Sequence, residues 1–180
     1  MRRIVGVEDY FDAGVDLLVT QGPGSIKVGA LCAALGVTTG SFYGYFTGLD
    51  DYVARLLTTR LSQPNRRLLE LADSDDAPEV LIARLRELLD VVQHDAETAL
   101  RAWALRRGAA AQLQHRLDRE RRAALAAILC RIVPAERSGE LSDFAMALLI
   151  GYQQLYAETA GAARDSLFAE FETMVRAHQI

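Results

Sequence analysis

The stretch Val28-Gly29-Ala30-Leu31-Cys32-Ala33-Ala34-Leu35-Gly36-Val37-Thr38-Thr39-Gly40-Ser41-Phe42-Tyr43-Gly44-Tyr45-Phe46 decides how this chain is read. Val28, Leu31, Cys32 and Leu35 recur at i, i+3, i+4, i+7, the spacing of one helical face. Gly36 stands where a helix C-cap needs positive φ. Val37 can tuck into the turn, and Thr38 or Thr39 can cap the next helix. That helix is very short, Thr39 to Phe46, with Phe42 and Phe46 facing inward at i, i+4. Two short helices meeting across so tight a turn predict a helix-turn-helix, whose second rod can enter a major groove.

The flanks fit that reading. Upstream, Tyr10, Phe11, Gly14, Val15 and Leu18 form an apolar face, with Asp9, Asp12 and Asp16 opposite. Gln21-Gly22-Pro23-Gly24 ends this first helix, because proline and glycine do not continue one. Downstream, Thr47-Gly48 breaks the chain. A fourth helix is expected from Leu49 to about Gln63, with a kink at Pro64 and helical pattern on to Leu71. Asp50 and Asp51 suit its positive N-terminal end. Further helices are expected from Pro78, over 96–107, over 110–132, over 139–159 with Ser138 as its cap, and over 163–178. The fold class is therefore all-α: an N-terminal three-helix helix-turn-helix domain (1–48) and a larger helical domain (49–180), about nine helices in total.

Composition narrows the function. The 180 residues contain no apolar run near the ~18 needed to span a membrane, and acids follow Met1-Arg2-Arg3 too soon for a signal-peptide core. A cytoplasmic protein with no membrane partner is expected. Cys32 and Cys130 match no metal or redox spacing, and both are expected as buried core thiols. His94, His115 and His178 form no cluster, so no metal or other cofactor is expected. No Glu-x-x-His pair, P-loop or nucleophile elbow appears, which argues against an enzyme. The mixed-charge stretch 116–122 reads as a solvated helix face.

The order Leu35-Gly36-Val37-Thr38-Thr39-Gly40-Ser41-Phe42-Tyr43-Gly44-Tyr45-Phe46, with a helix before it and a long helix after it, resembles the N-terminal domain of TetR-family repressors over about residues 7–60. Arg101-Ala102-Trp103-Ala104-Leu105 resembles the sixth helix of many members. The resemblance implies that Thr38, Thr39, Gly40 and Ser41 face DNA. Hydroxyls can pair with base edges, and Gly40 would allow close backbone approach. It implies phosphate contacts from Tyr43, Tyr45 and Lys27, which set register without reading sequence. The family often has a lysine where this chain has Leu49, and a threonine where it has Lys27, so that a capping role is lost or moved to Ser25. Residues 1–50 carry three cations, Arg2, Arg3 and Lys27, against Glu8, Asp9, Asp12, Asp16 and Asp50, whereas most DNA-binding modules are basic. Arg2 and Arg3 could compensate as a flexible arm.

A helix-turn-helix of this kind reads two half-sites as a two-fold dimer. Stripes at Phe144, Leu148, Tyr152 and Leu155, and at Phe168, Phe171 and Val175, with Gly151 allowing close approach, are the candidates for a homodimer interface. Trp103, Met146, Gln153, Tyr156 and His94 are candidates for lining a site for a small hydrophobic effector. The resemblance implies a repressor released from its double-stranded operator by that effector. The competing readings are a helical adaptor of the same fold that has lost DNA binding and a small helical enzyme.

Overall fold

The computed structural model describes residues 5–22, 24–90, 92, 94–104, 108–155 and 162–180. Those residues form α1 (Val7–Gln21), α2 (Val28–Leu35), α3 (Thr39–Tyr43), α4 (Leu49–Ala72), α5 (Pro78–Asp90), α6 (His94–Ala104), α7 (Gly108–Leu129), α8 (Ala135–Leu155) and α9 (Ala162–Arg176), and contain no strand. No helix among them is long and apolar enough to cross a membrane. The chain divides into two compact units, residues 1–60 with 95–114 and residues 61–94 with 115–180.

The first unit is built on aromatic rings. Tyr10 and Phe11 of α1, Phe42 of α3, Phe46 in the turn that follows and Tyr52 of α4 are each at most 2% exposed. Phe42 and Phe46 lie 4.9 Å apart between centroids, and Phe46 meets Tyr52 edge-on at 5.1 Å. Such pairs add roughly 0.5–1.5 kcal/mol each beyond area burial. The acids of α1 tie it down. Asp9 accepts the Gly6 amide at 2.8 Å, while Glu8 and Asp12 pair with Arg60 of α4 at 3.1 and 2.5 Å.

The second unit has an aliphatic core: Leu68 and Leu71 of α4, Leu81 and Ile82 of α5, Ala124, Ile128 and Leu129 of α7, Ile132 and Val133 of the following turn, Leu141 of α8 and Val175 of α9. Arg131 closes the turn between α4 and α5. Its guanidinium donates to the carbonyls of Ser74 (2.6 Å), Asp76 (2.7 Å) and Ala72 (3.3 Å). A cation at the carbonyl end of α4 also complements the helix dipole.

Several sequence expectations are corrected. α4 is continuous through Pro64 rather than ending near Gln63. Proline removes the donor for the Arg60 carbonyl, but Asn65 anchors the helix just beyond it. Asn65 Nδ2 donates to Leu117 O at 2.8 Å and its Oδ1 accepts from Arg121 Nε at 2.8 Å. Arg121 is accordingly 4% exposed and does not belong to a solvated face. α3 stops at Tyr43, because the Phe42 carbonyl receives both the Tyr45 and the Phe46 amides and the chain tightens into a turn. α8 begins at Ala135, directly after Pro134, whose carbonyl accepts the Arg137 and Ser138 amides. Ser138 is thus inside the helix, with its hydroxyl donating to Ala135 O at 2.8 Å. Cys32 is buried but Cys130 is exposed. Apolar neighbours in sequence did not place it inward, because Ile128, Leu129, Ile132 and Val133 occupy the inward face there.

Candidate nucleic-acid interface

The turn between α2 and α3 is set by backbone alone. Gly36 adopts φ 65°, ψ 34°, the left-handed region that favours glycine. The Val37 amide donates to Cys32 O at 3.0 Å and the Gly36 amide to Ala33 O at 3.2 Å. This pair of bonds is a Schellman motif, which satisfies the last carbonyls of α2 and fixes the exit direction. The Ser41 amide donates to Thr38 O at 3.0 Å, starting α3 at once. Thr38 occupies the N-cap position, but no side-chain hydroxyl caps α3.

Hydroxyls hold α3 from behind. Tyr10 OH, fully buried, donates to Ser41 Oγ at 3.0 Å. Burial raises the Tyr10 phenol pKa, partly offset by the Ser41 hydrogen bond. Tyr52 OH donates to Tyr10 O at 2.8 Å, and burial pushes its pKa far up. Burial also raises the Cys32 thiol, with the Phe42 amide acting against it. Ser25 does not cap α2: its hydroxyl lies 2.7 Å from Gly22 O and 3.0 Å from Leu17 O, at the carbonyl end of α1. Lys27 stands at the N-cap of α2 with no side-chain cap.

Lys27, Thr38, Thr39, Gly40, Tyr43 and Tyr45 are exposed, and Ser41 is half-buried. Tyr43 is 60% exposed, with its ring edge against Phe42 at 5.4 Å. A Cβ on Gly40 would meet Thr38 Oγ1 at 3.6 Å, an ordinary contact, so packing among the described residues does not demand glycine there. Tyr45 differs from Tyr43. Its hydroxyl donates to Val5 O at 2.9 Å, and its carbonyl accepts from Arg55 Nη1 at 2.7 Å. The Arg55 guanidinium also lies over the Phe46 ring, 4.8 Å from the centroid. Nothing in the spacing of α4 singles out Arg55; only the fold brings it to Tyr45. The acids of this unit are in part engaged at helix ends, Asp51 accepting the Thr47 amide at 2.9 Å. Arg2 and Arg3 lie outside the described residues.

Of the residues expected to line an effector site, Trp103 is buried in α6 within the first unit. In the second unit Met146 and Gln153 are buried on α8, and His94 is half-buried with its ring edge-on to Tyr152 at 5.3 Å. Tyr156 lies outside the described residues. The expected dimer stripes are split. Tyr152 and Val175 are buried within the protomer, whereas Phe144 is 45% and Leu155 77% exposed. Leu148, Gly151, Phe168 and Phe171 are half-buried, and Phe144 stacks on Phe171 at 6.1 Å. Among the described residues no three metal-ligating side chains cluster.

No protein-family model matches the sequence, and neither does any curated protein. Solved structures do. The ketosteroid transcriptional regulator KstR2 of Mycobacterium tuberculosis aligns with TM-score 0.71 at 12% identity, over 99% of this chain and 97% of its own. A Mesorhizobium loti protein assigned to the TetR family of transcriptional regulators aligns with TM-score 0.69 at 12% identity, over 96% and 94%. Mycobacterium smegmatis AmtR aligns with TM-score 0.63 at 17% identity, over 98% and 88%. At these identities the likeness is one of fold: the chain has the all-helical fold of TetR-family regulators.

Proposed function

We propose that this chain, built on the fold of TetR-family transcriptional regulators, is itself a DNA-binding regulator. It would act as a homodimer whose α3 helices read two half-sites about 34–36 Å apart. The observation that carries this is the exposed surface of α3. Thr38, Thr39, Gly40 and Tyr43 are turned outward from a helix whose inner side is fixed by Phe42 and by the Tyr10–Ser41 bond. Thr38 and Thr39 would address base edges, with Gly40 permitting close approach, while Ser41, whose Oγ accepts from the buried Tyr10, would hold the helix in place. Tyr43 and Lys27 would address phosphates. Tyr45, whose phenol is engaged with Val5, would contribute position more than contact.

The exposed part of the α8–α9 face, Phe144, Leu148 and Leu155 with Phe171, would pair with its copy in a second protomer. A small hydrophobic effector acting on the second unit, where His94, Met146 and Gln153 are candidates, would favour a conformation with a different spacing of the two α3 helices. It could do so only by binding that conformation more tightly. Release from the operator would then make the chain a repressor.

Selection of duplexes from random-sequence DNA by the full-length protein tests the reading. A symmetric consensus with salt-sensitive binding is expected. Recovery of no enriched sequence, with no retarded band at low salt, rejects DNA binding and leaves the helical adaptor.

A further inference from the structure

We infer that Arg55 of α4 is a DNA-backbone contact at the junction of α3 and α4; the inference rests on the DNA-binding reading above. Three observations support it. The first is where the charge is held. Side chains on a helix lean toward its N-terminus, and the bond from Nη1 to the Tyr45 carbonyl brings the guanidinium back to the junction between α3 and α4. Leu49 opens α4 at that junction and offers no charge.

The second is that the guanidinium is held in place with donors to spare. The Phe46 ring lies under it at 4.8 Å, and the Tyr45 carbonyl takes one of the five N–H donors of the guanidinium. Among the described residues no carboxylate pairs with it. Asp51, one turn earlier on α4, is engaged with the Thr47 amide, and the neighbouring cation Arg60 is paired with Glu8 and Asp12. An arginine pre-set on an aromatic ring, with donors left over, loses little conformational freedom on meeting a phosphate.

The third is its place in the chain. Tyr45 follows α3 by two residues, so the guanidinium stands at the exit of the helix proposed to enter the groove. Lys27, at the N-cap of α2, would mark the other side of the motif.

The test is the salt dependence of binding to the selected duplex, measured with full-length protein across about 50–200 mM salt. Removing one phosphate-neutralising charge lowers the log–log slope by about 0.9. Arg55→Gln and Arg55→Met are expected to lower it by that amount and to weaken binding equally across sequences, whereas Arg55→Lys keeps the slope. A slope unchanged in Arg55→Gln and Arg55→Met overturns the inference, even if affinity falls, since loss of the Tyr45 tether alone moves affinity without moving charge. Should either neutral variant unfold, the other and Arg55→Lys still decide the matter, because a slope lost in the lysine variant also contradicts a point-charge contact. Failure of the wild-type chain to bind any duplex is a different result, and removes the DNA-binding reading itself.

Discussion

The hydroxyl of Tyr52 lies so close over Gly14 that a Cβ on that glycine would overlap its oxygen and stand 3.1 Å from Cζ. The hydroxyl is there because it donates to Tyr10 O, one turn earlier on α1. Gly14 is therefore what lets α4 seat against α1. Gly14→Ala gains up to about 1 kcal/mol of helix propensity, but the overpacking costs about 1–3 kcal/mol. Net destabilisation is expected, read from urea unfolding followed by circular dichroism. In a Tyr52→Phe background the same substitution should cost less, because the nearest atom is gone. Equal costs in the two backgrounds would refute the clash.

The same two tyrosines set an alkaline limit. Burial raises the Tyr52 phenol, with Arg60 acting against it, and burial raises Tyr10 as well. An unfolded tyrosine titrates near pH 10. The folded state holds these protons more tightly, so its stability is intact below about pH 10 and declines as pH rises from there toward the folded values. The melting temperature of the wild-type protein should hold up to about pH 10 and fall as the pH rises above it. The fall should be shallower in Tyr52→Phe; equal slopes would show that the buried phenol does not govern it.

Tyr43 and Tyr45 are two residues apart and should behave differently. Tyr43 is the more exposed, while the Tyr45 hydroxyl is engaged by Val5 O. Tyr43→Phe is expected to weaken DNA binding by a similar factor on all duplexes, the mark of a phosphate contact. Tyr45→Phe should lower thermal stability by about 1 kcal/mol or less and leave the selected sequence unchanged. Thr39→Ala should instead shift base preference at one position in each half-site. Titrations of the three variants on matched and mismatched duplexes separate the outcomes.

Much of this was legible in the sequence, for identifiable reasons. Gly36 is a position where only a left-handed residue ends one helix and starts another, so the turn could be read directly. Phe42 and Phe46 were legible as core from their spacing. The partners of polar side chains were not. Ser25 bonds carbonyls of α1 and its loop rather than capping α2, and Tyr45 reaches forty residues back to Val5. Arg55 and Arg121 owe their positions to residues far away in sequence, Tyr45 being ten residues off and Asn65 fifty-six. Local pattern gives helices and faces; it carries no record of which distant carbonyl a guanidinium will find.

Arg131 illustrates that in the second unit. Three backbone carbonyls of the α4–α5 turn depend on it, at Ala72, Ser74 and Asp76. Asp76 also pairs with Arg84, whose hydrogen bond holds the Asp76 carboxyl below the usual range. Hydrogen bonds from a charged donor contribute about 1.5–3 kcal/mol. Arg131→Ala should therefore destabilise the protein by roughly 2–4 kcal/mol and speed amide exchange around Asp73 and Ser74. Arg131→Lys, which keeps the charge but not the fork, should recover only part of this. Exchange in the turn unchanged from wild type would mean that the carbonyls find other partners.

Gly151 tests the proposed homodimer. Among the described residues a Cβ there would meet nothing within 4 Å, so none of their contacts requires glycine. Glycine within a helix costs about 0.5–1 kcal/mol relative to alanine, a penalty that no contact of the described residues explains. If α8 lies close against α8 of a second copy, the missing side chain is what lets the two backbones approach. Gly151→Gln should then leave the protomer folded, or slightly raise its intrinsic helix stability, while shifting the sedimentation equilibrium toward monomer. Phe144→Glu should do the same by a different route, placing a charge on an apolar ring face that is now 45% exposed. Because a specific interface buries about 1,200–2,000 Å² in total, neither change needs to abolish pairing at high concentration. A dimer equally tight in both variants would put the pairing surface elsewhere, and would leave Gly151 without a structural reason.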